Sequence, residues 1–212
     1  MPKQIVFIFL LMSLGLTSLA QTTSNTTFKK HTIEFLYPNN FYFDNRFRLS
    51  IPITNMGVKY QYFKSNKNLG FHLSVTSDRM KDFTGADYTL AVTERLILYP
   101  SLGLDFITCN KKNFRLITFI ELNHRLGQID WFAHSNEFEI RLGSYELLDF
   151  GTSIGASFTY KPPNKALTLS MAIAETFYFY RYDKGIPEYY LPGSPKHVLS
   201  ISFGAGWTFG DD

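Results

Sequence analysis

Leu199, Ile201, Phe203, Ala205, Trp207 and Phe209 occupy alternate positions, and Ser200, Ser202, Gly204, Gly206 and Thr208 fill the positions between them. Strict alternation of this kind is the period of a β-strand with two unlike faces. The pattern recurs along the chain. Phe150, Ile154, Ala156, Phe158 and Tyr160 oppose Gly151, Ser153, Gly155, Ser157 and Thr159. Leu167, Leu169, Met171 and Ile173 oppose Thr168, Ser170, Ala172 and Ala174. Leu69, Phe71, Leu73 and Val75 oppose Gly70, His72, Ser74 and Thr76. Segments 102–109 and 113–122 follow the same style, and 31–37 and 56–64 are weaker members. No amphipathic helix competes with them.

The small face decides which side is inside. A soluble sandwich turns its large apolar residues inward and its charges outward. Here the face opposite the large apolar residues is Gly, Ser, Thr and Ala, which suits a crowded polar lumen, and the apolar face then needs lipid as its solvent. Alternating segments of about ten residues, separated by turns, are the signature of a transmembrane barrel, and closure follows because hydrocarbon tolerates no open sheet edge. The connections also alternate in length. Ser65–Asn68, Asn110–Asn113 and Pro162–Lys165 are short, whereas 38–55, 77–100, 123–149 and 181–195 are long. The prediction is all-β: a closed antiparallel up-and-down transmembrane β-barrel of about 8 strands over 31–212, with both ends on the short-turn side. Further alternation inside the long connections (Tyr88 to Leu98, Phe138 to Leu142) makes 10 strands the alternative. Eight is preferred because Glu94, Glu146 and Glu175 then lie past the ~9–11 residues that a tilted strand needs to cross the bilayer.

The first twenty residues carry Lys3, the apolar run Ile5–Leu16 and the small-x-small site Ser18-Leu19-Ala20. This is the layout of a cleaved signal peptide, 1–20, rather than a spanning helix. A Thr/Ser/Asn-rich leader, 21–30, follows. One cysteine, Cys109, supports neither a disulfide framework nor a Cys-rich zinc site. The net charge of +3 is scattered and offers no nucleic-acid patch. Aromatic content is high, with 21 Phe, 13 Tyr and 2 Trp, matching both strands and membrane interfaces.

Charges projected onto the small face form one constellation: Glu34, Lys59, His72, Asp105, Arg115, Glu121, Arg125, Glu139 and Arg141. Both signs are present, so these residues either pair as a polar core or line a selective pore. The lumen of an eight-strand barrel is only wide enough for side chains, which favours the paired core. His72 and Ser74 share a face, and His134 adjoins Ser135, but nucleophilic catalysis needs Ser, His and an orienting group in mutual contact, and neither pair has that spacing. The five histidines show no metal-ligand spacing, and no cofactor is expected. The aromatics of the long connections, Tyr42, Phe43, Trp131, Phe132, Tyr189 and Tyr190, form a candidate contact surface.

Taken together, Met56-Gly57-Val58-Lys59-Tyr60-Gln61-Tyr62 ahead of a Lys/Asn turn, the Pro-Pro-Asn-Lys turn and the closing Ser202–Phe209 strand resemble the small outer-membrane β-barrel proteins of Bacteroidetes-type bacteria. The chain departs from the usual barrel ending, since Gly210-Asp211-Asp212 follow the last aromatic. The resemblance implies a bacterial outer-membrane location, with outer-membrane lipid and the barrel-assembly machinery as partners. It implies no activity. Three readings follow: a non-enzymatic structural or interaction barrel, a membrane-embedded lipid-modifying acyl hydrolase, and a soluble periplasmic barrel that binds a small apolar ligand. The first is preferred.

Overall fold

The computed structural model describes residues 30–43, 55–64, 68–84, 90–134, 139–163, 165–183 and 197–210. Its eight strands are β1 (His31–Phe43), β2 (Met56–Phe63), β3 (Leu69–Thr84), β4 (Leu90–Lys111), β5 (Phe114–His134), β6 (Glu139–Tyr160), β7 (Leu167–Asp183) and β8 (His197–Phe209). Each strand pairs antiparallel with the next, and β8 pairs with β1, so the sheet closes as a barrel with no free edge. The ten-strand alternative is thereby overturned: the alternation at Leu90–Leu98 and at Ile140–Leu142 belongs to the upper parts of β4 and β6. The predicted signal peptide and residues 21–29 of the predicted leader lie outside the described residues.

Register sets the barrel's geometry. From His31 the ladder runs to Tyr62, Phe71, Leu104, Ile120, Ile154, Glu175 and Leu199. Leu199 pairs with Phe41, so one circuit from His31 returns to β1 ten residues further on. A stagger of this size in eight strands requires a strand tilt of ~40° and leaves an interior that side chains can fill.

The two faces separate by chemistry. Leu73, Leu102, Leu122, Ile154, Met171, Phe203 and Trp207 are among the large apolar residues exposed on the outer wall. Thr32, Gln61, Ser101, Ser153, Ser157, Thr168 and Thr208 are buried on the inner one. Three irregularities interrupt the alternation, between Ile107 and Cys109, Trp131 and Phe132, and Phe150 and Gly151. The last of these places Phe179 and Tyr180 together on the exposed side.

At the short-turn end the ladders are extended by backbone bonds such as Phe63 N–H to Lys30 O (2.9 Å) and Lys161 N–H to Asn113 O (2.9 Å). An aromatic girdle rings this end on the outside. His31 stacks on Phe209, Tyr62 packs against Phe71, and Phe114 packs against Phe158 and Tyr160. Rings of this kind mark a membrane–water interface. The opposite rim is uneven, because β4, β5 and β6 have 22, 21 and 22 residues whereas β2 has 8. The long connections predicted from sequence are correspondingly shorter: Tyr42 and Phe43 are strand residues of β1, and Trp131 and Phe132 are strand residues of β5. The strands continue through these positions because inter-strand pairing holds the backbone there. Tyr189 and Tyr190 lie outside the described residues.

The candidate functional site in the barrel lumen

Inward positions on β1 to β5 carry the charges. Glu34 of β1 lies opposite Lys59 of β2 in register, and Lys59 Nζ is 2.7 Å from Glu34 Oε2. His72 of β3 sits between two carboxylates: Nδ1 is 2.8 Å from Asp105 Oδ1, and Nε2 is 2.8 Å from Glu121 Oε2. Gln61 donates to the other oxygen of Asp105 at 2.8 Å. Ser101 donates to Glu121 Oε2 at 3.1 Å and contacts the Ser74 hydroxyl at 2.7 Å. Glu34 and Asp105 are each 1% exposed and His72 is 3% exposed. Charges this deep are tolerated only when paired and hydrogen-bonded.

Glycine makes room for these side chains. A Cβ on Gly103 would collide with the His72 ring, and one on Gly155 would collide with the Phe119 ring. Phe119 in turn packs edge-on against His72, with centroids 5.6 Å apart. The network therefore depends on two residues that contribute no side chain to it.

A second pair lies higher in the lumen. Arg125 of β5 donates through Nε (2.7 Å) and Nη2 to Asp149 Oδ2 of β6, and its guanidinium lies 4.3 Å from the centre of the Tyr178 ring. Nearby, Asn123 bonds Ser153, whose hydroxyl is 2.6 Å from that of Thr176. At the short-turn end, buried Phe63, Ile107 and Ile117 cluster and fill the lumen, and Arg115 lies over the Phe63 ring at 4.8 Å. Glu139 and Arg141 are strand residues of β6, but their side chains lie outside the described residues.

Sequence reasoning passed over Asp149, Gln61 and the apolar cluster. Asp149 sits two residues before Gly151 on the same face, so extending the alternation by one step would have found it. Phe63, Ile107 and Ile117 also face inward, contrary to an inner face read as uniformly small and polar.

Between the charged wall of β2 to β5 and the opposite wall of β7 and β8 lies a cavity of about 100 Å³. Its far wall is built from the small side chains Ser170, Ala172, Ala174, Ser200 and Ser202. Its lining mixes hydroxyls and charges with apolar surface from Leu36, Tyr99, Phe119, Tyr178 and Val198, and the apolar outer wall is the inverse of a soluble ligand-binding barrel. Among the described residues lining the cavity, no serine hydroxyl is hydrogen-bonded to His72. Both ring nitrogens of His72 are engaged by carboxylates, so neither is directed at Ser74 or Ser101. Among the described residues no group of three or more His, Cys, Asp or Glu side chains is placed to hold a metal ion.

The chain matches no protein-family model, and no curated protein matches it. Solved structures do share its architecture. Ail, the attachment invasion locus protein of Yersinia pestis, solved in complex with the heparin analogue sucrose octasulfate, is 16% identical with a TM-score of 0.55, over 85% of this chain and 99% of Ail. Neisserial surface protein A is 9% identical with a TM-score of 0.53, over 84% of this chain and 97% of that one. A major outer membrane protein from Thermus thermophilus is 12% identical with a TM-score of 0.52, over 84% and 99%. At these identities the likeness is one of fold: this chain is a closed, eight-stranded, antiparallel all-β barrel of the kind those proteins form.

Proposed function

We propose that this chain is a bacterial outer-membrane barrel with a non-conducting lumen, acting as a structural or interaction protein through the parts of its wall and connections raised above the lipid. One observation carries the reading, the inversion of the two barrel faces. Large apolar side chains cover the outside, and paired charges with an apolar cluster occupy the inside. Only a hydrocarbon surrounding makes that arrangement favourable. Export through cleavage after Ala20, a Bacteroidetes-type source, contact with outer-membrane lipid and delivery by the barrel-assembly machinery complete the proposal, on the strength of the sequence features described above.

The test has two parts. The full chain expressed in a Gram-negative host should co-sediment with outer membranes and require detergent for release. The purified barrel in planar bilayers should show no large, steady conductance, because side chains fill an eight-strand lumen. Recovery in the soluble periplasmic fraction would overturn the membrane assignment. A stable porin-sized conductance would overturn the closed lumen.

A further inference from the structure

The lumen is filled unevenly. Its charged half is packed by the Glu34–Lys59 and Asp105–His72–Glu121 contacts, while over Ser170–Ala174 and Ser200–Ser202 the strands β7 and β8 present only serine and alanine to the space opposite, with Thr176, Tyr178 and Val198 at one end. A barrel that needed only a solid core would place larger side chains on that wall. The resulting cavity of about 100 Å³ has room for several waters, at ~10–15 Å³ of such space for each. It therefore does not stay empty.

Three groups at its surface have hydrogen-bonding capacity to spare. The Ser157 hydroxyl is on a residue 1% exposed, lines the cavity and has no hydrogen-bond partner among the described residues. Glu121 directs both of its side-chain hydrogen bonds through Oε2, leaving Oε1 without a partner among the described residues, and its side chain is 14% exposed. Lys59, 12% exposed, meets one carboxylate with an ammonium that carries three N–H groups. The site thus offers a spare acceptor, spare donors and a hydroxyl capable of either role. A solute hydroxyl, which both donates and accepts, answers all three. Net charge argues the same way. Every carboxylate on the charged wall already has a cationic or hydrogen-bonding partner, so an ionic solute would bring an uncompensated charge into a low-dielectric space. The Tyr99, Phe119 and Tyr178 rings also border the cavity and supply apolar surface for C–H groups. Below, Phe63, Ile107 and Ile117 block the way through.

We propose that the lumen cavity is a blind pocket that binds a small, uncharged, hydroxyl-rich solute of the glycerol-to-monosaccharide class. The site requires only the closed barrel, so it stands or falls independently of the membrane in which the barrel resides.

The test uses the full mature chain in lipid nanodiscs with isotope-labelled alanine methyl groups, titrated first with glycerol and then with glucose. Ala172 and Ala174 line the cavity, and Ala205 is exposed on the outer wall. Saturable shifts confined to Ala172 and Ala174, with either solute, are the expected result. Ser202→Leu, which fills the small wall, should abolish them. Ser157→Ala should weaken them roughly fivefold, as the loss of one hydrogen bond predicts. Where Ser202→Leu fails to form the barrel, judged by circular dichroism and heat-shifted gel mobility, Ser157→Ala decides alone. Shifts that do not saturate, that appear equally at Ala205, or that persist unchanged in the variants would overturn the proposal and leave the cavity a water store.

Discussion

His31, the first residue of β1, stacks on Phe209, the last residue of β8, with ring centroids 5.2 Å apart and planes 15° from parallel. The contact lies at the seam where the sheet closes on itself, and His31 Nδ1 adds a 2.7 Å hydrogen bond to the Tyr60 hydroxyl on β2. His31 thereby joins three strands at the interfacial girdle. Aromatic pairs contribute ~0.5–1.5 kcal/mol beyond area burial, and a hydrogen bond adds about 1 kcal/mol. His31→Ala should accordingly lower stability by about 1–2 kcal/mol in urea unfolding from phospholipid vesicles, with the strand content by circular dichroism unchanged. A loss within error of zero would show that the seam is held by backbone pairing alone.

The assignment of faces is tested on one strand. Phe203 is exposed on the outer wall and Ser202 faces the cavity. Phe203→Arg should impair insertion, since arginine near the bilayer midplane costs about 2–4 kcal/mol, whereas Ser202→Thr should insert normally. The comparison for each is arginine at the exposed turn residue Lys112. Equal insertion yields at Phe203 and Lys112, measured by heat-shifted mobility on gels, would refute the assigned faces.

The Arg125–Asp149 pair predicts a non-additive cycle. Asp149 is 0% exposed, so Arg125→Ala strands a buried carboxylate at a cost of about 3–5 kcal/mol. Asp149→Leu combined with Arg125→Met removes both charges and should recover most of that loss. Equal destabilisation by the single and double variants would mean that the pair contributes packing volume and little else.

Topology can be read by labelling. Asn68, Lys112 and Lys165 are exposed at the short-turn end, which is periplasmic in outer-membrane barrels. Single cysteines at these positions, in a Cys109→Ser background, should resist an impermeant thiol reagent applied to whole cells. Cysteines at Ser135, between β5 and β6 in the sequence, and at Gly193, between β7 and β8, should react. Labelling at Lys112 with protection at Ser135 would invert the barrel in the membrane.

The strands were legible because two solvents write opposite preferences onto alternate residues. Leu199 to Phe209 shows this most clearly, with every second position apolar. The eight-strand count followed from the alternation of connection lengths and from the spacing of Glu94, Glu146 and Glu175. Their upper limits were not legible: above the lipid, chemistry no longer separates wall from loop, and Tyr42 and Trp131 read as loop residues. The irregularity between Ile107 and Cys109 was equally hidden, because an extra residue shifts the alternation without changing composition. Parity put Glu34, Lys59, His72, Asp105, Glu121 and Arg125 on one face, but could not say who meets whom. His72 reaches Asp105 and Glu121 because of inter-strand stagger, and stagger is a property of closure that no single strand encodes. Ser157 carried no signal, since a buried hydroxyl without a partner looks like any other serine in a strand.

The 21-residue β5 exceeds the ~11 residues needed to cross the bilayer. In the membrane setting proposed above, the surplus, at ~3.3 Å per residue and ~40° of tilt, lifts the tip of the β4–β6 wall roughly 25 Å clear of the lipid. A macromolecule could therefore engage that wall without touching the membrane, on a surface already stiffened by pairing and with little order left to impose. The same stiffness governs how such a surface can diversify. Substitutions there are free only at every second residue. Paired insertions of two residues in facing strands lengthen the wall with its register kept, and a single-residue insertion has to be absorbed by a local irregularity, as between Trp131 and Phe132, or it turns everything above it inside out.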